Sequence, residues 1–141
     1  MVSDEGLRAL SNFKILTLDG TFDSAPDPFK QIFCINVLTD TREGLILSTV
    51  QLSFLIPDRS IPVVWALLSN KSKLIYREGV FRPLQTLMAD ANFGEVGEKV
   101  IVTDFESAIY KAFQEVFEGS VCYGDNFHFR QVICCYLNLC S

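Results

Sequence analysis

The chain has 141 residues and a mass of 15.9 kDa, a size that suits a single folded domain. Hydrophobic residues make up 49% of the sequence and charged residues 21%, a composition that excludes an intrinsically disordered chain. The net charge is −5 and the pI is near 4.8, so overall charge repels nucleic-acid phosphate, and any contact with nucleic acid has to be local or metal-mediated.

Three apolar runs, rich in β-branched and aromatic residues, predict the first strands of a sheet. They cover residues 12–18, 29–38 and 61–68. We expect three consecutive antiparallel strands, the first of them central in the sheet. The first run stops at Asp19 and Gly20, a pair that is typical of a turn.

The first half of the chain also contains an N-terminal segment and a long connection between the second and third strands. Residues 1–11 are interpreted as an N-terminal extension, and residues 12–141 as the domain itself. In the connection between the second and third strands, residues 39–60, apolar and polar positions alternate with a period of two, which favours an extra strand.

The second half of the chain predicts helices and strands in alternation. Helical spacing of apolar residues begins at Val80, and Pro83 is expected to kink that helix or to begin a new first turn. A short strand follows at residues 100–102, then an amphipathic helix at residues 105–117, ended by a glycine. A fifth strand at residues 120–123 and a last helix from Phe127 complete an α/β fold with a mixed sheet.

Two carboxylates follow neighbouring strands of this predicted sheet. If the strand at residues 100–102 lies parallel to the first strand, Asp19 and Asp104 meet at the carboxyl edge, where open α/β sheets commonly bind ligands. Paired carboxylates hold hard divalent cations, which can activate a nucleophile for attack on a phosphodiester. Each acid also has a structural interpretation: Asp19 as a turn residue, and Thr103 with Glu106 as a helix-capping box around Asp104.

Four segments follow one another in a characteristic order: LDGTF at residues 18–22, PVVWALL at 62–68 with NKS at 70–72, VTDFE at 102–106, and FHFRQ at 127–131. Together they resemble the transposases of Mutator-like elements. The acid-bearing segments resemble the first two acidic motifs of that family, the third-strand segment resembles its helix entry, and the last segment resembles its histidine motif.

This resemblance implies a ribonuclease H-like fold and a metal-dependent DNA strand-transfer activity. By the same resemblance, Asp19 and Asp104 are the first two metal-binding acids and His128 is the histidine beside the active site, with Mg²⁺ or Mn²⁺ as the cofactor. The implied partner is DNA, bound at transposon ends through modules outside this domain. The resemblance is also compatible with a homo-oligomer and with a nuclear or other intracellular location.

The third acid of the family motif has no counterpart in its expected place. Residues 129–141 contain no Asp or Glu, and Glu106 belongs to the second helix, which does not fit the order of the motif. The cysteine that usually precedes the histidine by three residues is replaced by Asp125. The sequence is therefore interpreted as a fragment of the catalytic domain, with residues 39–60 as an insertion.

Several residues keep alternative interpretations. His128 can be a hydrogen-bonded core histidine among aromatic neighbours, and a zinc site is a rival use of the thiols, although paired-cysteine spacing is absent. The zinc candidates are Cys122, His128, Cys134, Cys135 and Cys140. The basic stretch Lys71, Lys73, Arg77 and Arg82 could touch a DNA backbone or form a solvated helix face.

The five cysteines are an odd number without the spacing of a disulfide framework, and no apolar leader begins the chain. The longest apolar-rich run, residues 45–56, is shorter than the about 20 residues that span a bilayer. We therefore expect reduced thiols in a protein that is neither secreted nor inserted in a membrane. The main functional alternative is a co-opted ribonuclease H-like module that binds DNA or protein without cleavage.

Overall fold

The computed structural model describes residues 1–21, 25–38, 60–93, 98–104 and 106–124. These residues form an α/β structure with a five-stranded mixed sheet, as predicted. The strands are β1 (Ile15–Thr21), β2 (Gln31–Leu38), β3 (Ser60–Leu68), β4 (Val100–Thr103) and β5 (Val121–Gly124). The helices are α1 (Asp4–Asn12), α2 (Lys73–Tyr76), a π-helical segment (Arg77–Phe81), α3 (Arg82–Asp90) and α4 (Ser107–Val116).

The sheet has the strand order β3-β2-β1-β4-β5, with β1 at its centre. The first three strands are antiparallel to one another, β4 lies parallel to β1, and β5 lies parallel to β4. The predicted central position of the first strand and its parallel pairing with the fourth are both confirmed. The parallel pairings bring the carboxyl ends of β1, β4 and β5 to one edge of the sheet.

The first strand is longer than the sequence predicts, and the turn interpretation of Asp19 is wrong. Asp19 lies inside β1 and pairs with Cys34 of β2, and the pairing continues through Gly20 and Thr21. The ladder hydrogen bonds to β2 therefore outweigh the turn preference of the Asp-Gly pair, because the strand has a partner along its whole length.

The N-terminal residues form a helix that the sequence analysis did not predict. Ser3 caps α1 by accepting a hydrogen bond from the backbone N–H of Gly6, and the helix buries Leu7 and Leu10 in the main core. Ahead of the helix, Val2 forms an antiparallel bridge with Val64 of β3. Residues 1–11 thus pack on the outer strand of the sheet.

A π-helical segment accommodates Pro83 in the helical connection between β3 and β4. Proline has no N–H and cannot continue an α-helical ladder in a helix interior. Here Pro83 lies in the first turn of α3, and the N–H of Arg82 bonds to the carbonyl of Arg77 five residues back. The predicted new first turn at Pro83 is confirmed, and the π-helical hydrogen bonding keeps the helix continuous before it.

An aromatic core joins the sheet to the helices. Phe33 of β2, Phe81 of the π-helical segment and Phe113 of α4 are all buried to 1% exposure or less. The ring centroids of Phe81 and Phe113 are 5.1 Å apart in an edge-to-face arrangement, and those of Phe33 and Phe81 are 6.0 Å apart. A second, smaller cluster of Ile15, Leu38 and Val102 lies in the sheet away from this core.

Two predicted elements lie outside the described residues: the extra strand in the insertion at residues 39–60 and the last helix from Phe127. Within the described ranges, no helix combines the length and the apolar character that crossing a bilayer requires.

Candidate functional site

The parallel pairing of β1 and β4 sets the two acids side by side along the backbone. Leu18 of β1 lies opposite Thr103 of β4, and this is the last pair of that ladder. Asp19 and Asp104 are the next residues on the two chains, so their Cα atoms come to neighbouring positions at the carboxyl edge of the sheet. The predicted parallel pairing of the two acid-bearing strands is therefore confirmed, and the close approach of the two carboxylates stays a prediction.

Asp19 is exposed and lies on the sheet face that also carries Cys34. Residues alternate between faces along a strand, and Leu18 on the other face is buried in the main core. The Cys34 thiol donates to Oδ1 of Asn36 at 3.3 Å, and Nδ2 of Asn36 donates to Oγ1 of Thr17 at 3.1 Å. This face of β1 and β2 is polar next to Asp19.

The negative charge of Asp19 affects the pKa of the Cys34 thiol. Burial first, and the negative charge of Asp19 second, raise the pKa of Cys34 from 9.0 to about 11. Burial alone raises the pKa of Cys122 to the same value. Because folding raises both pKa values, the neutral thiols favour the folded state fully below pH 9, and this contribution is lost as the pH rises toward 11.

Replacing Asp19 by Asn is expected to speed the alkylation of Cys34 by iodoacetamide about two- to threefold at pH 8.5, because the thiolate is the reactive form and a negative charge beside it is removed. The measurement is the rate of labelling of each cysteine-containing peptide by mass spectrometry. Cys122 is the internal control, since no charge contributes to its raised pKa. Equal acceleration of both thiols, or of neither, would contradict the placement of Asp19 beside Cys34.

Asp104 is held by two hydrogen bonds just beyond the end of β4. Its Oδ1 lies 3.3 Å from Oγ1 of Thr103 and accepts from the backbone N–H of Glu106, also at 3.3 Å. Glu106 occupies the N-cap position of α4 without a side-chain cap. The predicted capping box is therefore wrong: Thr103 is committed to the strand, and Asp104 rather than Thr103 accepts the amide hydrogen.

A buried polar cluster lies behind the two acids. The hydroxyl of Tyr76 in α2 donates to Oε1 of Gln31 at 2.8 Å and also lies 3.0 Å from Oε1 of Glu106. Gln31 is fully buried, and its Nε2 has no hydrogen-bond partner. That nitrogen packs against Gly20, because a β-carbon at Gly20 would lie only 1.8 Å from it.

Burial and neighbouring charge govern protonation in this cluster. Burial, together with the charge of Asp104, raises the pKa of Glu106, and the hydrogen bond from Tyr76 partly offsets this rise. Burial is also the main reason that the pKa of Tyr76 is raised well above 10.0. The Tyr76 hydroxyl therefore keeps its proton and acts as a hydrogen-bond donor at neutral pH.

A cleft of about 270 Å³ opens beside Asp104, between α4 and the ends of β4 and β5. Its walls combine a carboxylate with hydroxyl, amide and thiol groups. The lining residues are Thr103, Asp104, Tyr110, Gln114, Cys122 and Gly124. Asp104 thus forms part of the wall of this cleft.

The two aspartates could hold a divalent cation that keeps several of its waters, because carboxylate oxygen is the preferred ligand of Mg²⁺ and Mn²⁺. Among the residues that the structure describes, no group of three or more His, Cys, Asp or Glu side chains is arranged to hold a metal ion. His128 and the zinc candidates Cys134, Cys135 and Cys140 lie outside the described residues. Cys34 and Cys122 are free thiols.

The basic stretch is largely neutralised by acids of its own surface. Lys73 and Arg77 both contact Glu115 of α4, at 2.6 and 3.1 Å. Arg77 and Arg82 also contact Glu78, at 2.7 and 3.3 Å. Exposed pairs of this kind reduce the positive charge available to a phosphate backbone, which favours the interpretation as a solvated helix face.

Comparison with known proteins adds no relative: no protein-family model matches the sequence, and no significant match was found among curated proteins or solved structures.

Sequence reasoning did not identify Gln31 and Tyr76 as parts of the site. One available signal was Gln31, a polar residue at an inward position of an otherwise apolar alternating strand, which requires a buried partner. Its partner Tyr76 is 45 residues away in sequence, so their contact depends on how the helical connection packs on the sheet. Glu106 does not fit the order of the acidic motifs in the sequence, yet its carboxylate lies 3.0 Å from the Tyr76 hydroxyl.

Proposed function

We propose that this chain carries part of a ribonuclease H-like catalytic domain of a DNA transposase, with Asp19 and Asp104 as divalent-cation ligands. One observation supports the proposal: the register pairs Leu18 with Thr103, so Asp19 and Asp104 each follow a paired residue at the carboxyl edge of the sheet. The strand order, with three antiparallel strands followed by two parallel ones, supports the same fold.

The chemistry follows from what the acids can bind. When bound, Mg²⁺ or Mn²⁺ supplies charge neutralisation at a phosphodiester and lowers the pKa of a coordinated water or hydroxyl. In this proposal, Asp19 and Asp104 hold the cation. Thr103 and the backbone N–H of Glu106 orient the Asp104 carboxylate by their contacts with its Oδ1. His128 stays a prediction as the histidine beside the active site.

A co-opted module that binds DNA or protein without cleavage is the second candidate. Two observations favour it: no group of three metal-binding side chains is found in the described part of the chain, and the basic stretch is paired with acids. In that case Asp19 and Asp104 have no catalytic role, and cation binding does not change the affinity for the DNA or protein partner.

The chain expressed alone is expected to bind Mn²⁺ weakly and to leave supercoiled plasmid DNA intact in Mg²⁺ and in Mn²⁺. A two-metal clamp needs more anionic ligands than Asp19 and Asp104 provide. Replacing either aspartate by Asn is expected to weaken Mn²⁺ binding about tenfold, or ~1.4 kcal/mol. Calorimetry or Mn²⁺ electron spin resonance measures the binding, and gel electrophoresis of the plasmid measures nicking.

Glu118→Gln is the matched control, because it removes the same charge from an exposed position that follows α4 at the opposite edge of the sheet. Its Mn²⁺ affinity is expected to equal that of the unmodified chain. Nicking that is lost in the Asp19→Asn variant would show that the catalytic site is complete and that no third acid is lacking. Mn²⁺ binding that is insensitive to both aspartates would reject the cation site and leave the binding module.

A further inference from the structure

The ladder between β1 and β4 ends one residue before the two acids. Leu18 and Thr103 form the last backbone pair, and Asp104 lies beyond the end of β4. Backbone pairing therefore brings Asp104 to the edge where Asp19 lies, but no ladder contact holds Asp104 itself. Contacts from other elements can then hold Asp104 and Glu106, at the start of α4, against the end of β1.

A chain of side-chain contacts spans this gap on the core side of the sheet. It begins at Gly20, next to Asp19, where the amide of Gln31 packs against the backbone. It continues through the Tyr76 hydroxyl to the carboxylate of Glu106, and the N–H of Glu106 donates to Asp104. Each contact is between different elements except the last, so the chain joins β1, β2, α2 and the start of α4.

We propose that Gln31 and Tyr76 are positioning residues that fix Asp104 relative to Asp19, and so set the affinity of the acid pair for a divalent cation. This inference rests on the proposed function for its consequence. Tyr76 is suited to the role because it is fully buried and its ring packs on Phe33, with centroids 5.3 Å apart. Its hydroxyl is therefore held in place by the core and not by the groups that it orients.

Gln31 is held on both sides. Its Oε1 accepts from Tyr76, and its Nε2 is confined against Gly20 without a hydrogen-bond partner. A buried amide nitrogen without a partner is unfavourable, whereas an apolar side chain of the same length would avoid that penalty. The amide nitrogen does pack against the backbone of Gly20, and the amide oxygen accepts the hydrogen bond from Tyr76.

The test compares Mn²⁺ affinity in the unmodified chain, Tyr76→Phe and Gln31→Met. Tyr76→Phe keeps the ring and removes only the hydroxyl. Each variant is expected to bind Mn²⁺ about five- to tenfold more weakly, and the double variant no more weakly than either single one, because both act along one chain of contacts. Val116→Ala is the control: it loosens the core at the far end of α4, so it lowers the melting temperature without changing the Mn²⁺ affinity.

A second readout follows the amide resonances of Gly20 and Glu106 by NMR. In Tyr76→Phe both are expected to shift together, and in Val116→Ala neither shifts. Unchanged Mn²⁺ affinity in Tyr76→Phe, or an affinity that falls equally in Val116→Ala, would overturn the positioning role. If the unmodified chain shows no Asp19-dependent Mn²⁺ binding, the proposed function fails, and the resonances decide alone: joint shifts support the positioning of the two segments, and shifts confined to neighbours of Tyr76 reject it.

Discussion

Replacing Phe81 by Ala is expected to lower the free energy of unfolding by about 4 kcal/mol, the largest effect of any single change considered for this protein. Phe81 is fully buried, and its ring contacts the rings of Phe33, Phe113 and Phe117. The substitution leaves a cavity at the junction of the sheet, the π-helical segment and α4, and it removes edge-to-face contacts that area burial alone does not count.

Urea denaturation followed by circular dichroism measures this change, since the midpoint gives the loss of stability if the slope stays constant. Phe81→Leu keeps most of the volume and is expected to cost less than about 1.5 kcal/mol. Leu87→Ala, at a side chain that is 45% exposed, is the surface control and is expected to cost under about 1 kcal/mol. A Phe81→Ala chain as stable as the Leu87→Ala chain would show that the ring cluster is not the main core.

Replacing Gly20 by Ala is expected to destabilise the protein by about 3 kcal/mol, because the new β-carbon would occupy the place of the Gln31 amide nitrogen. The separation of 1.8 Å lies far inside van der Waals contact, and Gln31 is fully buried and bonded to Tyr76. Gln31 has to leave its position, so the variant combines overpacking with the loss of a buried hydrogen bond.

Gly79→Ala is the matched control for this change. A β-carbon there meets nothing within 4 Å, and alanine is favoured over glycine in a helical segment by about 0.5–1 kcal/mol. A double-mutant cycle with Gln31→Ala completes the test, because shortening the side chain makes room for the methyl group. If Gly20→Ala costs the same in both backgrounds, the clash with Gln31 is not the cause of the loss.

The sheet could be predicted from the sequence because its strands are short, mostly apolar runs bounded by turn residues, a pattern typical of buried strands. Residues 31–38 alternate with the period of a strand, and the run at residues 100–102 is short and wholly apolar, as in strands covered on both faces. The position of Asp19 and Asp104 then followed from one assumption, that the two acid-bearing strands are parallel neighbours. The observed register agrees with that assumption.

Local patterns failed where tertiary pairing overrides local preference. The Asp-Gly pair at Asp19 is a frequent turn, but here β2 pairs with both residues and extends the strand. The spacing of Thr103 and Glu106 fits a capping box, yet Thr103 is the last residue of a parallel strand and is buried there. Helix α1 was not predicted because it is short and becomes stable by packing Leu7 and Leu10 on the sheet.

The cluster behind the acids could not be predicted, because its members are far apart in the chain. Lys99 shows the same limit: a lysine with 5% exposure donates to the carbonyls of Ser11 and Phe13 at the end of α1, 88 and 86 residues away. Such partners meet only after the sheet and the helices have packed. Periodicity identifies the buried faces, but it does not identify which polar groups on them meet.

The bridge between the N-terminal residues and β3 bears on self-association. An outer strand with free backbone groups can pair with strands of other molecules. The exposed apolar side chains of Trp65 and Leu67 on β3 would stabilise such pairing, because they would become buried. Met1 occupies both backbone groups of Trp65, accepting from its N–H and donating to its carbonyl, and Val2 bridges Val64. The first two residues thereby occupy backbone groups in the middle of β3 that a strand of another molecule would otherwise pair with.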